Sequence, residues 1–291
     1  MRIHTAQQSN KDWIFVLGAE DPEMSAIQRV LTAVGITFVY ATFRGRRVSA
    51  VTAYKADGTT RPIPLGMQVA VVECSVAGTK PDMIIDHHRE GDPGFGKPPQ
   101  LYWEGSSIGQ TVQFLTSERF GANDRNADLL RPMEWELKLV AAADHCLSHA
   151  YKGLCPGIDH AALRLWRAVS RSGHQGCSPR EILQRVDKAM EKIRQLPRIR
   201  IEGHEVADSI GAGKIRELPE ACAVLGVPVQ YEMADRETNR DKVGILGGCP
   251  DVTAAWMKWA REAGLADVYG DPARGFAGGY RASRRWGRVA S

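Results

Sequence analysis

Seven residues, Met83-Ile84-Ile85-Asp86-His87-His88-Arg89, set the strongest constraint on how this chain folds. A short apolar run stops at an acid, followed by two imidazoles and a guanidinium. Strands buried on both faces of a parallel sheet read as continuous apolar runs. In open α/β sheets, ligands bind beyond the carboxyl ends of such strands. Asp86, His87 and His88 therefore fall where chemistry is usually done, with hard oxygen and borderline nitrogen donors side by side.

The surrounding pattern extends this sheet. Trp13 to Leu17 reads as a first buried strand. In Gly18-Ala19-Glu20-Asp21-Pro22-Glu23-Met24-Ser25, Asp21 is a good N-cap, Pro22 fits the first helical turn and Glu23 suits the positive end of the helix dipole. Met24, Ile27, Val30, Leu31 and Val34 follow at helical spacing, Gly35 stops the helix, and Thr37 to Tyr40 is a second strand, a βαβ opening that favours a parallel sheet. Residues 48–63 read as an insertion or a short hairpin around Asp57-Gly58. Val69 to Cys74 is a further strand, with Glu73 at its end, and residues 91–99, rich in glycine and proline, form a loop.

Helices follow. One carries Ile108, Val112 and Leu115; a long one over 133–151 carries Asp144; Asp159 caps another; Ser178-Pro179-Arg180-Glu181 opens the next with a capping box. Gln195-Leu196-Pro197 marks a linker. Beyond it the spacing predicts strands over 221–225, 227–231 and 243–246, a helix over 253–264, and a closing glycine segment, Gly275 to Arg281. The expected fold class is α/β: a parallel-sheet domain flanked by helices over 1–195, then a smaller, glycine-rich α/β domain over 199–291.

Composition excludes several classes. With 291 residues, 43% of them hydrophobic, the chain can build a core and is not disordered. A net charge of +4 does not by itself argue for nucleic acid. The charge is uneven, however: Arg274, Arg281, Arg284, Arg285 and Arg288 follow Asp271 with no acid among them, a tail suited to an anionic ligand or simply to solvent. The cysteines are scattered without a CxxC pair, the first residues lack a signal-like apolar stretch, and no run is long enough to span a bilayer. The expectation is a cytoplasmic protein with reduced thiols.

The acids at strand ends carry the chemistry. Glu20, Asp21 and Glu23 follow the first strand, Glu73 and Asp86 follow later ones, and Asp144 lies on a helix. Carboxylates gathered at one sheet edge repel each other unless a cation sits among them. His87 adds a nitrogen donor, which suits manganese better than magnesium or calcium. A cation there would lower the pKa of a bound water and clamp a phosphoryl oxygen. Plainer readings stand beside this one. Glu20 to Glu23 equally suit a helix cap, Glu73 a solvated strand end, and Gly278-Gly279 a turn. His145 and His149, one turn apart, have zinc spacing but no HExxH context and read as surface or core residues.

The Asp86-His87-His88 signature, after an apolar strand and before the Gly105-Ser106-Ser107 helix start, resembles the DHH phosphoesterase superfamily. That family includes RecJ-type exonucleases, oligoribonuclease and cyclic-dinucleotide phosphodiesterases, and manganese-dependent inorganic pyrophosphatases. The resemblance implies a DHH-type catalytic domain to about the linker and a substrate-binding domain after it. It implies metal ligands at Glu23, Glu73, Asp86, His87 and Asp144, with one or two manganese ions and magnesium as the alternative ion. It assigns His88, with Arg89, to the transferred phosphate, and Gly278, Gly279 and Arg281 to substrate binding. The implied activity is hydrolysis of a phosphodiester or phosphoanhydride of a nucleotide or short oligonucleotide, by a protein that does not enter membranes and for which a homodimer is open. The first motif departs from the family pattern: its histidine is replaced by Ala19 and its last aspartate by Ser25. The alternative is therefore an inactive DHH-derived module that binds or sequesters a phosphorylated ligand. Nucleic-acid binding through the arginine tail is a third expectation.

Overall fold

The computed structural model describes residues 13–120, 124–235 and 240–282. The chain divides into two compact units, Met1–His145 and Cys146–Ser291.

In the first unit, β1 (Trp13–Leu17), β2 (Thr37–Phe43), β5 (Gln68–Val72) and β6 (Met83–Ile85) pair in parallel in the order β2-β1-β5-β6. Two-residue strands β3 (Arg46–Arg47) and β4 (Gly58–Thr59) both pair antiparallel with β2. The stretch left open between insertion and hairpin is thus an elaboration of β2, with a single 3-10 turn at Ala53–Lys55. Helix α1 (Pro22–Val34) starts where the sequence predicts: Asp21 Oδ1 accepts from Met24 N at 2.7 Å, and Gly35, at φ 73°, closes the helix. Met24, Ile27 and Leu31 are fully buried, each stabilising the fold by about 1.5–3 kcal/mol. The remaining helices of this unit are α2 (Tyr102–Gly105), α3 (Ser107–Thr116), α4 (Asp124–Leu130) and the first part of α5 (Glu134–Tyr151). Helix α5 departs from helical geometry at Cys146, φ −156° and ψ 52°.

Two glycines let this unit close. Gly18 donates its N–H to Val72 O at 3.0 Å, and a Cβ there would collide with the main-chain oxygen of Glu73. A Cβ on Gly109 would collide with the main-chain oxygen of Trp103, where α3 folds back on α2.

The second unit holds α6 (His160–Gln175), α7 (Pro179–Gln195), α8 (Leu218–Leu225) and α9 (Pro250–Glu262) with a sheet ordered β11-β12-β10-β9-β8-β7. Its strands are β7 (Arg198–Ile201), β8 (His204–Asp208), β9 (Val229–Asp235), β10 (Arg240–Leu246), β11 (Ala266–Asp271) and β12 (Phe276–Ala282). They pair antiparallel except β8 with β9, which are parallel. The expected caps hold: Asp159 accepts from Ala162 N at the start of α6, and Ser178 and Glu181 form a capping box at α7.

Two expectations need correction here. The units divide at Cys146, not at Gln195–Pro197, because α6 and α7 share a core with the later elements: Ala168, Ile182, Val186 and Ile193 pack with Leu218, Ala221, Cys222 and Val229. The second unit is accordingly no smaller than the first. Residues 221–225, expected as a strand, lie in α8. A short apolar run does not distinguish a buried strand from a buried helix, and Pro219 at the first helical turn supports the helix.

Gly18→Ala should lower unfolding stability by about 1–3 kcal/mol, since the main chain of Glu73 must shift to admit the methyl group. Gly173→Ala, in the exposed interior of α6 with nothing near its Cβ position, should raise stability by about 0.5–1 kcal/mol. Urea titrations of the two variants check both signs.

Candidate metal centre

The site lies entirely within the first unit, at the carboxyl ends of its parallel strands. Glu23 comes from the first turn of α1, Glu73 follows β5, His87 follows β6, and Asp144 lies on α5. One donor atom from each of Glu23, Glu73, His87 and Asp144 lies within 4.8 Å of the others. His87 is the hub. Its Nε2 stands 3.1 Å from Asp144 Oδ2, 3.4 Å from Glu73 Oε1 and 3.9 Å from Glu23 Oε2. Glu23 and His87 are buried, Glu73 nearly so, and Asp144 is part-exposed.

Two of the acids are tied to the fold from outside the cluster. Glu23 Oε1 accepts from the N–H of Ile108 at 2.9 Å, at the start of α3, where the dipole favours an anion. Glu73 is left-handed, at φ 51°, a sparsely occupied conformation for a side chain with a Cβ. Its N–H donates to Ile85 O at 3.0 Å, tying the turn to β6. The remaining oxygens, Glu23 Oε2 and Glu73 Oε1, are buried without a hydrogen-bond partner.

The charges respond to this crowding. The carboxyl of Glu23 is pushed well above its usual range, first by burial and then by the charges of Asp144, Glu73 and Asp21. Asp21 rises to about 8 through burial and the charges of Glu73 and Asp144. Burial also works to raise Glu73, but the neighbouring imidazoles of His87 and His88 hold it below its ordinary value.

Asp86 plays a different part from the one the family resemblance implies. It is absent from the converging set and organises the signature loop instead. Its carboxylate accepts from Tyr54 Oη at 2.9 and 3.1 Å, from His87 N at 2.7 Å and from His88 N at 3.1 Å, and Oδ1 lies 3.0 Å from His88 Nδ1. Its main chain is clamped by buried Gln110, whose Oε1 accepts from Asp86 N and whose Nε2 donates to Asp86 O. His88 lies beside Glu73 and His87, with its side chain exposed. The Arg89 guanidinium stacks 3.3 Å from the Tyr54 ring centroid. Glu20, which the first-motif departure brought into consideration, is exposed and pairs with Arg47 at 2.9 Å. Ser25 Oγ donates to Asp21 O at 2.9 Å, within its own helix.

The residues expected to bind substrate are placed differently as well. Gly278 and Gly279 are not in a turn but mid-strand in β12, Gly278 paired with Gly244 on one side and Tyr269 on the other. The missing side chain at Gly278 makes room for the Tyr269 hydroxyl, which a Cβ would approach to 2.7 Å. Arg281 is ion-paired with Glu232. Of the basic tail, Arg284, Arg285 and Arg288 lie outside the described residues.

Tyr54, Gln110 and His145 were not singled out for the site by sequence reasoning. Tyr54 and Gln110 carry no pattern, one lying in an irregular segment and the other within an ordinary helix. His145 had a signal, adjacency to Asp144, that was outweighed by the missing zinc motif.

No family model matches this chain, and no curated protein matches it. Among solved structures, a pGpG-specific phosphodiesterase, PggH from Vibrio cholerae, aligns over 93% of this chain and 93% of its own, at 13% identity and a TM-score of 0.43. No helix among the described residues is long and apolar enough to cross a membrane.

A pH prediction follows from Asp21. Its folded carboxyl holds a proton up to about 8, while an unfolded aspartate releases it near pH 4, on the order of the model-peptide value. Between these limits the folded state binds the extra proton, so in chelator-treated protein this group makes stability fall as pH rises, levelling above about 8. Asp21→Asn keeps a helix cap without the charge. Its melting temperature should fall less steeply over that window, as thermal melts in EDTA would record.

Proposed function

We propose that this chain is a metal-dependent phosphoesterase of the DHH type, hydrolysing a phosphodiester or phosphoanhydride of a nucleotide or short oligonucleotide. One observation carries the reading: Glu23 Oε2 and Glu73 Oε1 are buried, lack hydrogen bonds and converge on one imidazole nitrogen and a third carboxylate. Such an arrangement is costly for a protein alone and favourable around a divalent cation. The donor set fits the group the family uses, with hard oxygens and one nitrogen suited to manganese. Glu23, Glu73, His87 and Asp144 would hold it.

When bound, manganese supplies Lewis acidity and a water of lowered pKa. The chain's own residues supply the rest. Asp144, the part-exposed acid of the set, is the carboxylate placed to take a proton leaving water and pass it to solvent. Asp86 holds His88 through Nδ1, and the ring, when protonated on both nitrogens, donates from Nε2 to a phosphoryl oxygen. Tyr54 connects Arg89 and Asp86: its ring carries the Arg89 guanidinium and its hydroxyl donates to Asp86. Gly278, Gly279 and Arg281 have no part in this proposal, since the strand pairing and Glu232 already engage them.

A second reading, sequestration without turnover, draws on Ser25. The hydroxyl at the place of the family's last aspartate is turned back onto Asp21 O. Turnover decides between the two.

Calorimetry with manganese should show binding to the chain. Glu73→Gln and His87→Ala should each weaken it about a hundredfold, at or beyond the range known for residues that merely support a ligand. The manganese-loaded protein should release mononucleotide from a 5′-phosphorylated dinucleotide over many turnovers. Binding of that dinucleotide without product would favour sequestration, and no manganese binding at all would remove the phosphoesterase reading.

A further inference from the structure

We infer that His145 is a positioning residue that fixes the proton of His87 on Nδ1, so that His87 presents the Nε2 lone pair to a divalent cation. The inference rests on the metal-centre reading above and adds a residue to it.

The argument begins at a main-chain carbonyl. Lys97 O lies 2.9 Å from His145 Nε2. A carbonyl only accepts, so this nitrogen carries the proton. In a neutral imidazole the other nitrogen is then an acceptor. His145 Nδ1 lies 3.1 Å from His87 Nδ1, so His87 must donate from Nδ1. The reverse order would require His145 either to turn a lone pair on the Lys97 oxygen or to hold two protons while buried. Fixing a ligand's tautomer through its other nitrogen is the usual work of residues behind a metal centre.

The fold holds both rings in this relation. His87 and His145 are buried and stack at a centroid separation of 5.4 Å and an interplanar angle of 23°. Glycines permit the contact: a Cβ on Gly105 would lie 2.5 Å from Cε1 and Nε2 of His145, and one on Gly94 would lie 2.7 Å from the His87 Cβ. The 91–99 loop thus delivers the Lys97 carbonyl and passes close behind His87. On the other side of that ring, Nε2 faces Asp144, Glu73 and Glu23. A cation entering between Nε2 and these carboxylates is coordinated by the ring nitrogen and the oxygens together, and its binding requires Nε2 without a proton.

The test combines the wild-type protein with two variants. Nitrogen-15 NMR of the metal-free protein should show His87 protonated at Nδ1. His145→Phe keeps a ring in the space but accepts nothing, and should weaken manganese binding about 10–100-fold. His145→Gln, which keeps an acceptor and a donor, should recover most of the loss. A bare Nδ1 on His87 overturns the inference without any variant. So does unchanged manganese affinity in folded His145→Phe, and that result leaves the metal centre itself intact. Absence of manganese binding in the wild type overturns the metal centre, and this inference with it.

Discussion

Like charges held together in a buried place govern the first unit. Glu23 and Glu73 are drawn from the ends of different strands to the same imidazole, where Asp144 meets them. An uncompensated buried carboxylate costs several kcal/mol, so the fold must constrain each one from outside the cluster. It does so with groups that have no charge of their own. The start of α3 holds Glu23, the left-handed turn after β5 aims Glu73, and Gln110 clamps the main chain of Asp86. Gly18 is part of the same device, because only a residue without a Cβ lets β1 pass the main chain of Glu73. The raised carboxyls of Asp21 and Glu23 express the remaining strain in protons.

What the sequence revealed here is what periodicity and strand ends reveal. Continuous apolar runs identified β1, β5 and β6, helix caps identified α1, α6 and α7, and of the acids after strands Glu23 and Glu73 converge while Asp86 does not. Side-chain direction was beyond it. Asp86 and His87 are adjacent, yet consecutive residues leave a strand end in different directions, and Asp86 turns to Tyr54 and His88 while His87 faces the cluster. Tyr54 and Gln110 reach Asp86 across 32 and 24 residues, a relation no local pattern encodes. The glycine pair at 278–279 misled for a related reason. Glycine marks a turn or a close approach equally well, and only the neighbouring Tyr269 ring decides for the second.

The division of the chain was hidden in the same way. The proline at 197 ends α7 legibly, but a helix end is not a domain end. Leu196 and Ile193 are buried in the same core as Ala207 and Val229 on the far side of that proline. The actual change of unit falls within α5, where Cys146 leaves helical geometry directly after Asp144 and His145. Nothing in the composition of 133–151 announces that break.

The first motif bears on how many cations such a site can serve. Two-metal centres space their ions about 3.5–4 Å apart and need donors for both. Here the positions that would enlarge the set carry no spare donor. Ala19 has none, the Ser25 hydroxyl bonds within α1, and Glu20 points to Arg47. Asp21 is near enough to feel Glu73 and Asp144, but Oδ1 is committed to the cap of α1. The donors that do converge form two overlapping groups, Glu23, Glu73, His87 and Asp144, and Glu73, His87 and His88, so a second cation would share ligands with the first. On the reading proposed above, such shared ligands favour one ion over two.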